Sequence, residues 1–169
     1  MRNSIIFITF ALSNNSPRLF LYTIDKLKHF MTMEKIIVDV AWCNKNFSAS
    51  LSDNVPGAVV FTADTYEALQ KEARESLEFH VEGMLADGDD VPQWLIDGDY
   101  EFEFHLLDAA AVLHAYEPYL SLAAISRASG INQHQLSHYA NGIKRPRPEQ
   151  RQRIVDGVHK IGRELLAVE

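Results

Sequence analysis

The apolar residues of this chain change their spacing as the chain advances, and that change limits its possible folds more than any single motif. From Lys35 to Trp42 (KIIVDVAW) they alternate, placing Ile36, Val38, Val40 and Trp42 on one face, which is the period of a half-buried strand. Phe47–Leu51 (FSASL) repeats the pattern, and Asn44-Lys45-Asn46 between them predicts a hairpin turn. Ser52 to Gly57 (SDNVPG) has turn chemistry, because proline presets φ and glycine accepts positive φ. Ala58–Ala63 reads as a third strand. From Tyr66 the period becomes three and four: Tyr66, Leu69, Ala73, Leu77, Val81 and Met84 form one stripe, which predicts a helix with one buried side. Asp64 is the expected cap, with Glu67 three residues on completing a capping box. Gly88 ends the helix, GDDVPQWLIDGD reads as a linker, and Glu101–Leu106 alternates again, Phe102, Phe104 and Leu106 inward. The order strand-strand-strand-helix-strand predicts an α+β fold, a small mixed sheet backed by one long helix.

Beyond residue 106 the chain has helical grammar only. Asp108 is placed to cap AAAVLHAYE, which Pro118 stops. Ser121–Ser129 and Asn132–Ala140 follow, separated by a tight turn at Gly130 and closed by Asn141-Gly142. Ile125, Ile131, Leu136 and Tyr139 fall where two crossed helices pack, with Ser126 as the small residue at the crossing. Pro148 and Glu149 open a last helix with the stripe Ile154, Val158, Ile161 and Leu165. These readings divide the chain into residues 1–32, 33–106 and 107–169, the last an all-α helix-turn-helix unit.

Charge follows the same division. The whole chain carries −7, which on average argues against nucleic acid, since phosphate contact needs a basic footprint. Yet residues 33–120 hold four basic and eighteen acidic side chains, a net −14, whereas residues 121–169 hold eight basic and four acidic, a net +4. An acidic body beside a basic tail suggests two partners of opposite charge.

In a helix-turn-helix the second helix enters the DNA major groove, its N-terminal residues at base edges. Asn132, Gln133, His134 and His138 are the expected base readers, since amides pair with adenine and imidazole reaches guanine. Gln135 and Ser137 are assigned to bases or backbone, and Arg127, Lys144, Arg145 and Arg147 to phosphates. His134 and His138 also stand at the i, i+4 spacing of a helical zinc pair, but no third ligand lies nearby. His80, His105 and His114 read as isolated surface or partly packed histidines.

The chemistry of an enzyme is hard to assemble here. Asp39 on the first strand is a candidate metal ligand of the kind ribonuclease H nucleases use, but two-metal chemistry needs several converging carboxylates. There is no Gly-rich phosphate loop, HExxH motif or nucleophile elbow. Cys43 is alone, so it forms no internal disulfide and no thiolate zinc site. The expectation is a protein that is not an enzyme and needs no cofactor or metal.

Residues 1–32 fit neither unit. Ile5–Leu12 is an apolar run behind a lone Arg2, but SNNSPR follows where a signal peptide needs a small-residue cleavage site. Met31 and Met33 precede the first strand, so translation from one of them, or a loosely attached arm, is the expectation. No stretch reaches the ~18 apolar residues of a membrane span, and a cytoplasmic location is expected.

Two sets of motifs together resemble a known family. Residues 34–106, with Val55-Pro56-Gly57, ADTYEAL (63–69) and EGMLADG (82–88), resemble the N-terminal domain of HicB-type antitoxins. Residues 108–166, most densely GINQHQLSHYANGIKRPRP (130–148), resemble the Cro/repressor-like helix-turn-helix at the C-terminus of many of them. Ser126 departs from the usual alanine and Tyr139 from the usual aliphatic residue. The resemblance implies a partial ribonuclease H fold without nuclease carboxylates, binding a small basic mRNA-cleaving HicA-like toxin. It implies a tail that binds double-stranded operator DNA as a homodimer or tetramer. The toxin-facing zone is then expected among Glu67, Glu75, Glu78, Glu82, Glu101 and Glu103. The alternative is a free-standing transcriptional regulator whose acidic domain senses a ligand or another protein.

Overall fold

The computed structural model describes residues 33–43 and 45–168. The expectations for residues 1–32 lie outside the described residues. The fold is α+β: strands β1 (Glu34–Cys43), β2 (Asn46–Leu51), β3 (Val60–Ala63) and β4 (Tyr100–Leu106) form one sheet. Six helices accompany it among the described residues: α1 (Tyr66–Asp87), α2 (Gln93–Asp97), α3 (Ala109–Tyr116), α4 (Leu122–Ser129), α5 (Gln133–Ala140) and α6 (Pro148–Leu166). No helix among the described residues is long and apolar enough to cross a membrane.

The sheet order is β3-β2-β1-β4, antiparallel except for β4, which runs parallel to β1. A parallel neighbour requires a long crossover, and here α1 and α2 provide it. In the hairpin Cys43 pairs with Asn46, and Lys45 takes φ +75° in the turn. Alternation along β1 sends Ile36, Val38 and Val40 into a completely buried layer. Leu69, Ala73 and Leu77 of α1 close over it, with Phe47, Ala49 and Phe61 from β2 and β3. Residues of opposite parity, Lys35, Asp39, Glu103 and His105, face away from α1, because side chains alternate along a strand. There Lys35 Nζ meets Glu103 at 2.9 Å, and His105 lies 3.0 Å from Glu103 and 3.8 Å from Asp39.

Two local expectations need correction. The cap of α1 is Thr65, not Asp64: its Oγ1 accepts from the Ala68 N–H at 3.1 Å. The helix therefore starts one residue later than a cap at Asp64 implies, which removes the capping box. The linker after Gly88 contains α2, seated by the burial of Val91 and Leu95. Two buried apolar residues suffice to hold a single turn, too short for a periodicity to register.

A second core lies among the last four helices: Leu113 of α3, Ile125 of α4, Leu136 and Tyr139 of α5, Ile154 of α6 and Ile131 before α5. Val158 and Ile161 pack on it, but Leu165, expected on the same stripe, is exposed. The helix outruns the core it lies on by about one turn.

Helix α3 belongs to both cores. Ala111 and Ala115 pack into the sheet core, and Ala109, Val112 and Leu113 into the helical one. Asp108 fixes its start, accepting from Ala111 N at 2.8 Å and from Trp42 N at 3.0 Å. Arg151 of α6 adds a strap, its Nη2 donating to the Leu106 carbonyl at 2.9 Å while its Nε is buried without a partner. The sheet and the helical unit are thus joined through one helix, one carboxylate and one guanidinium.

Candidate nucleic-acid interface

The expected reading helix is α5, and its placement rests on both ends. Ser121 caps α4 through its Oγ, which accepts from Ala124 N at 3.2 Å. At the far end of α4 the chain reverses at Gly130 with φ +67°, and its N–H returns to the Ser126 carbonyl. The Ser129 carbonyl is held by Arg153, through Nε at 3.2 Å and Nη2 at 3.0 Å. Ile131 then enters the core and Asn132 starts α5, its Oδ1 accepting from His134 N at 2.8 Å.

The C-terminus of α5 leaves four carbonyls that need outside partners, and all four have them. Ser137 O accepts from Asn141 N, Tyr139 O from Gly142 N, and His138 O from both Ile143 N and Lys144 N. The fourth, Ala140 O, is reached by the His114 ring at 3.0 Å; a carbonyl only accepts, so Nε2 carries the proton. His114 also stacks on Trp42 at 3.8 Å between centroids, and its Nδ1 lies 3.1 Å from Glu117. It is not an isolated histidine: it joins β1, α3 and the end of α5.

Leu136, Tyr139 and Ala140 are the buried side of α5. At 100° per residue, the opposite side is centred on His134 and His138, with Asn141 and Ser137 beside them, whereas Gln133 lies roughly 60° from Leu136, toward the buried side. The His134 and His138 rings lie 4.4 Å apart. Gln133 and His134 are exposed, while His138 and Ser137 are half-buried. Arg127, Lys144, Arg145 and Arg147 are exposed and have no ion-pair or hydrogen-bond partner for their side chains among the described residues.

Two of the expected readers have other duties. Asn132 spends its carbonyl oxygen on the helix cap, and bidentate pairing with adenine needs both amide groups. Gln135 is half-buried, and its Nε2 donates to the Tyr139 hydroxyl at 2.5 Å; that hydroxyl donates in turn to Gln150 of α6. A polar chain from α5 to α6 thus satisfies a hydroxyl in a buried residue. The face left to read is Gln133, His134 and His138, with Ser137 beside them.

The six acidic residues expected to form one zone are not brought together. Glu67, Glu75, Glu78 and Glu82 lie on the solvent side of α1, Glu75 paired with Lys71 at 2.9 Å. Glu101 and Glu103 project from the other face of the sheet, where strand parity puts them. The hydrogen bonds of His105 and Lys35 hold the Glu103 carboxyl below its usual pKa, and Lys35 is raised in return. Asp39 faces His105 on that surface, with Glu103 on the other side of the same ring. Among the described residues no group of three or more histidine, cysteine, aspartate or glutamate side chains is placed to hold a metal ion.

Sequence reasoning missed His114, Gln150, Arg151 and Arg153 as the residues that position this interface. Their partners Ala140, Tyr139, Leu106 and Ser129 are 11 to 45 positions away, so no local pattern announces them. Compared with protein-family models, curated proteins and solved structures, the chain finds no match.

Proposed function

We propose that this chain is an antitoxin of the HicB type, which sequesters a small basic mRNA-cleaving toxin and represses its own operon. In this reading β1 to β4 with α1 form a partial ribonuclease H fold, and α4 with α5 form the helix-turn-helix. The observation that carries the DNA half is the outer face of α5. His134 and His138 project from a helix whose other side is buried, with Gln133 exposed in its first turn, flanked by four cations unpaired among the described residues, Arg127, Lys144, Arg145 and Arg147. Base edges need such uncommitted donors and acceptors, and the flanking cations supply the phosphate register. The acidic body supports the toxin half, since a −14 segment complements a cationic RNA-binding surface and speeds encounter with it. Exposed Ile143, Leu165, Leu166 and Val168 suit a two-fold pairing of helical units, which half-site recognition requires.

The test measures binding of the full chain to the DNA upstream of its own gene as salt is varied. His134→Ala is expected to cost ~1–3 kcal/mol at one base position. Lys144→Ala with Arg145→Ala should weaken every sequence alike and reduce the salt slope by about 0.9 per lost phosphate contact. Specific binding that survives His134→Ala, Gln133→Ala and His138→Ala together would place recognition elsewhere. For the toxin half, a short reading frame for a small basic protein is expected beside this gene, and co-expression with its product should yield a complex and restore growth; absence of both refutes it.

A further inference from the structure

A cleft of about 600 Å³ opens where the start of α1 meets the end of α3, within the volume range of ligand pockets. Trp42 forms part of its wall, stacked on His114 and buttressed edge-on by Phe47 at 4.8 Å between centroids. Tyr66 lines it from the first turn of α1, and Tyr119, 79% exposed, stands beyond α3. The remaining charged lining is Asp64, Glu67 and Glu117, with no lysine or arginine. Neither Asp64 nor Glu67 has a partner among the described residues.

Aromatic faces and a carboxylate rim together select a cation. An anion would be drawn only by the N-terminus of α1, about +0.5 of a charge, which Glu67 in its first turn already offsets. A bare divalent ion needs converging carboxylates, and none are grouped for it among the described residues. A guanidinium fits all three features: it stacks on aromatic faces, is weakly hydrated, and pairs with carboxylates in a planar fork.

We propose that this cleft receives an arginine side chain of a basic protein partner, stacked among Trp42, Tyr66 and Tyr119 and paired with Asp64, Glu67 or Glu117. The partner's identity as the toxin rests on the reading above; the cation specificity does not. The occupied wall includes His114, which also holds the last carbonyl of α5, so the guest would sit one residue from the proposed reading helix.

The test uses the full chain carrying Trp94→Phe, which leaves Trp42 as its single tryptophan. Emission is followed while a hexa-arginine peptide is added at about 0.15 M salt, where long-range attraction is screened. A saturable change in Trp42 emission is expected. It should weaken at least about tenfold with Asp64→Asn, Glu67→Gln and Glu117→Gln together, since paired carboxylates carry charge-assisted bonds. The same loss of charge on later turns of α1, Glu75→Gln, Glu78→Gln and Glu82→Gln, should leave affinity within about twofold. Tyr119→Ser, at an exposed ring, should weaken binding without touching charge. Equal weakening by both triple variants, or binding that leaves Trp42 emission unmoved, overturns the proposal. The titration contains no toxin, so its failure is distinct from a failed co-expression, which would remove the antitoxin reading instead.

Discussion

Replacing His114 by phenylalanine keeps an aromatic ring against Trp42 and removes two hydrogen bonds, the buried one to the Ala140 carbonyl and the exposed one to Glu117. Ala140 is only 7% exposed, and its carbonyl is the one end group of α5 that no following backbone N–H reaches. A buried acceptor left unpaired costs about 1–3 kcal/mol. For a fold of this size 1 kcal/mol moves Tm by roughly 4 °C, so His114→Phe is expected to lower Tm by about 4–12 °C. His114→Ala loses the stack as well, a further ~0.5–1.5 kcal/mol. The assay is thermal unfolding of the full chain by far-ultraviolet circular dichroism, with near-ultraviolet signal reporting the Trp42 environment. An unchanged Tm in His114→Phe would refute the claim that this ring closes α5. Equal losses in the two variants would refute the contribution of the stack. Because the carbonyl closes the proposed reading helix, a loss of DNA affinity is expected in His114→Phe if that helix reads DNA as proposed, although His114 is absent from the proposed reading face.

Four further outcomes follow from the same structure. Thr65→Ala should cost about 1 kcal/mol through the lost cap of α1, while Asp64→Ala should leave denaturant stability near wild type; the reverse order would reinstate Asp64 as the cap. Leu136→Ala, fully buried between α4, α5 and α6, should cost ~2–5 kcal/mol in denaturant unfolding, and a loss below that range would mean the helical core is loosely packed. Gly130→Ala should lose ~1–2 kcal/mol, because a side chain is strained at φ +67° and its Cβ would meet Arg153 Nη2 at 2.9 Å; an unchanged midpoint would contradict the turn. The Glu103 carboxyl, lowered from 4.5 chiefly by His105 and Lys35, contributes stability that is present above its unfolded pKa and lost as pH falls through the lower folded value. Glu103→Gln should therefore flatten the acid limb of a Tm-against-pH curve, and an identical limb would show that the His105 and Lys35 contacts are broken in solution.

The elements of this fold were legible wherever the local period was long and uninterrupted. Ile36, Val38 and Val40 announce a strand, and Leu69, Ala73 and Leu77 a helix, because burying one side of a regular element forces the repeat into the sequence. Asp108 and Gly130 were equally readable, since caps and left-handed turns demand particular side chains at particular places. The cap of α1 was misassigned to Asp64 because Asp64 and Thr65 are both capping residues, and only backbone geometry chooses between neighbours. Helix α2 escaped because five residues do not establish a period. On the candidate site, the positions of His134 and His138 on one side of α5 follow from helix geometry alone. The loss of Asn132 and Gln135 from that set does not, because a cap and a buried tyrosine hydroxyl claimed their amides.

The sequence by itself determined the four strands and the five longer helices, which of their sides are apolar, and that acidic and basic charge occupy different parts of the chain. Each of these depends on residues a few positions apart, where the covalent chain sets the geometry. Tertiary structure decided that α3 serves two cores, that His114, Arg151 and Arg153 lock the helical unit in place, and that the acids of α1 and β4 face different ways. It also decided that Trp42 and Tyr66 share a cleft with Glu117. Those outcomes depend on contacts between residues tens of positions apart, which exist only once burial of the two cores has brought the chain back on itself.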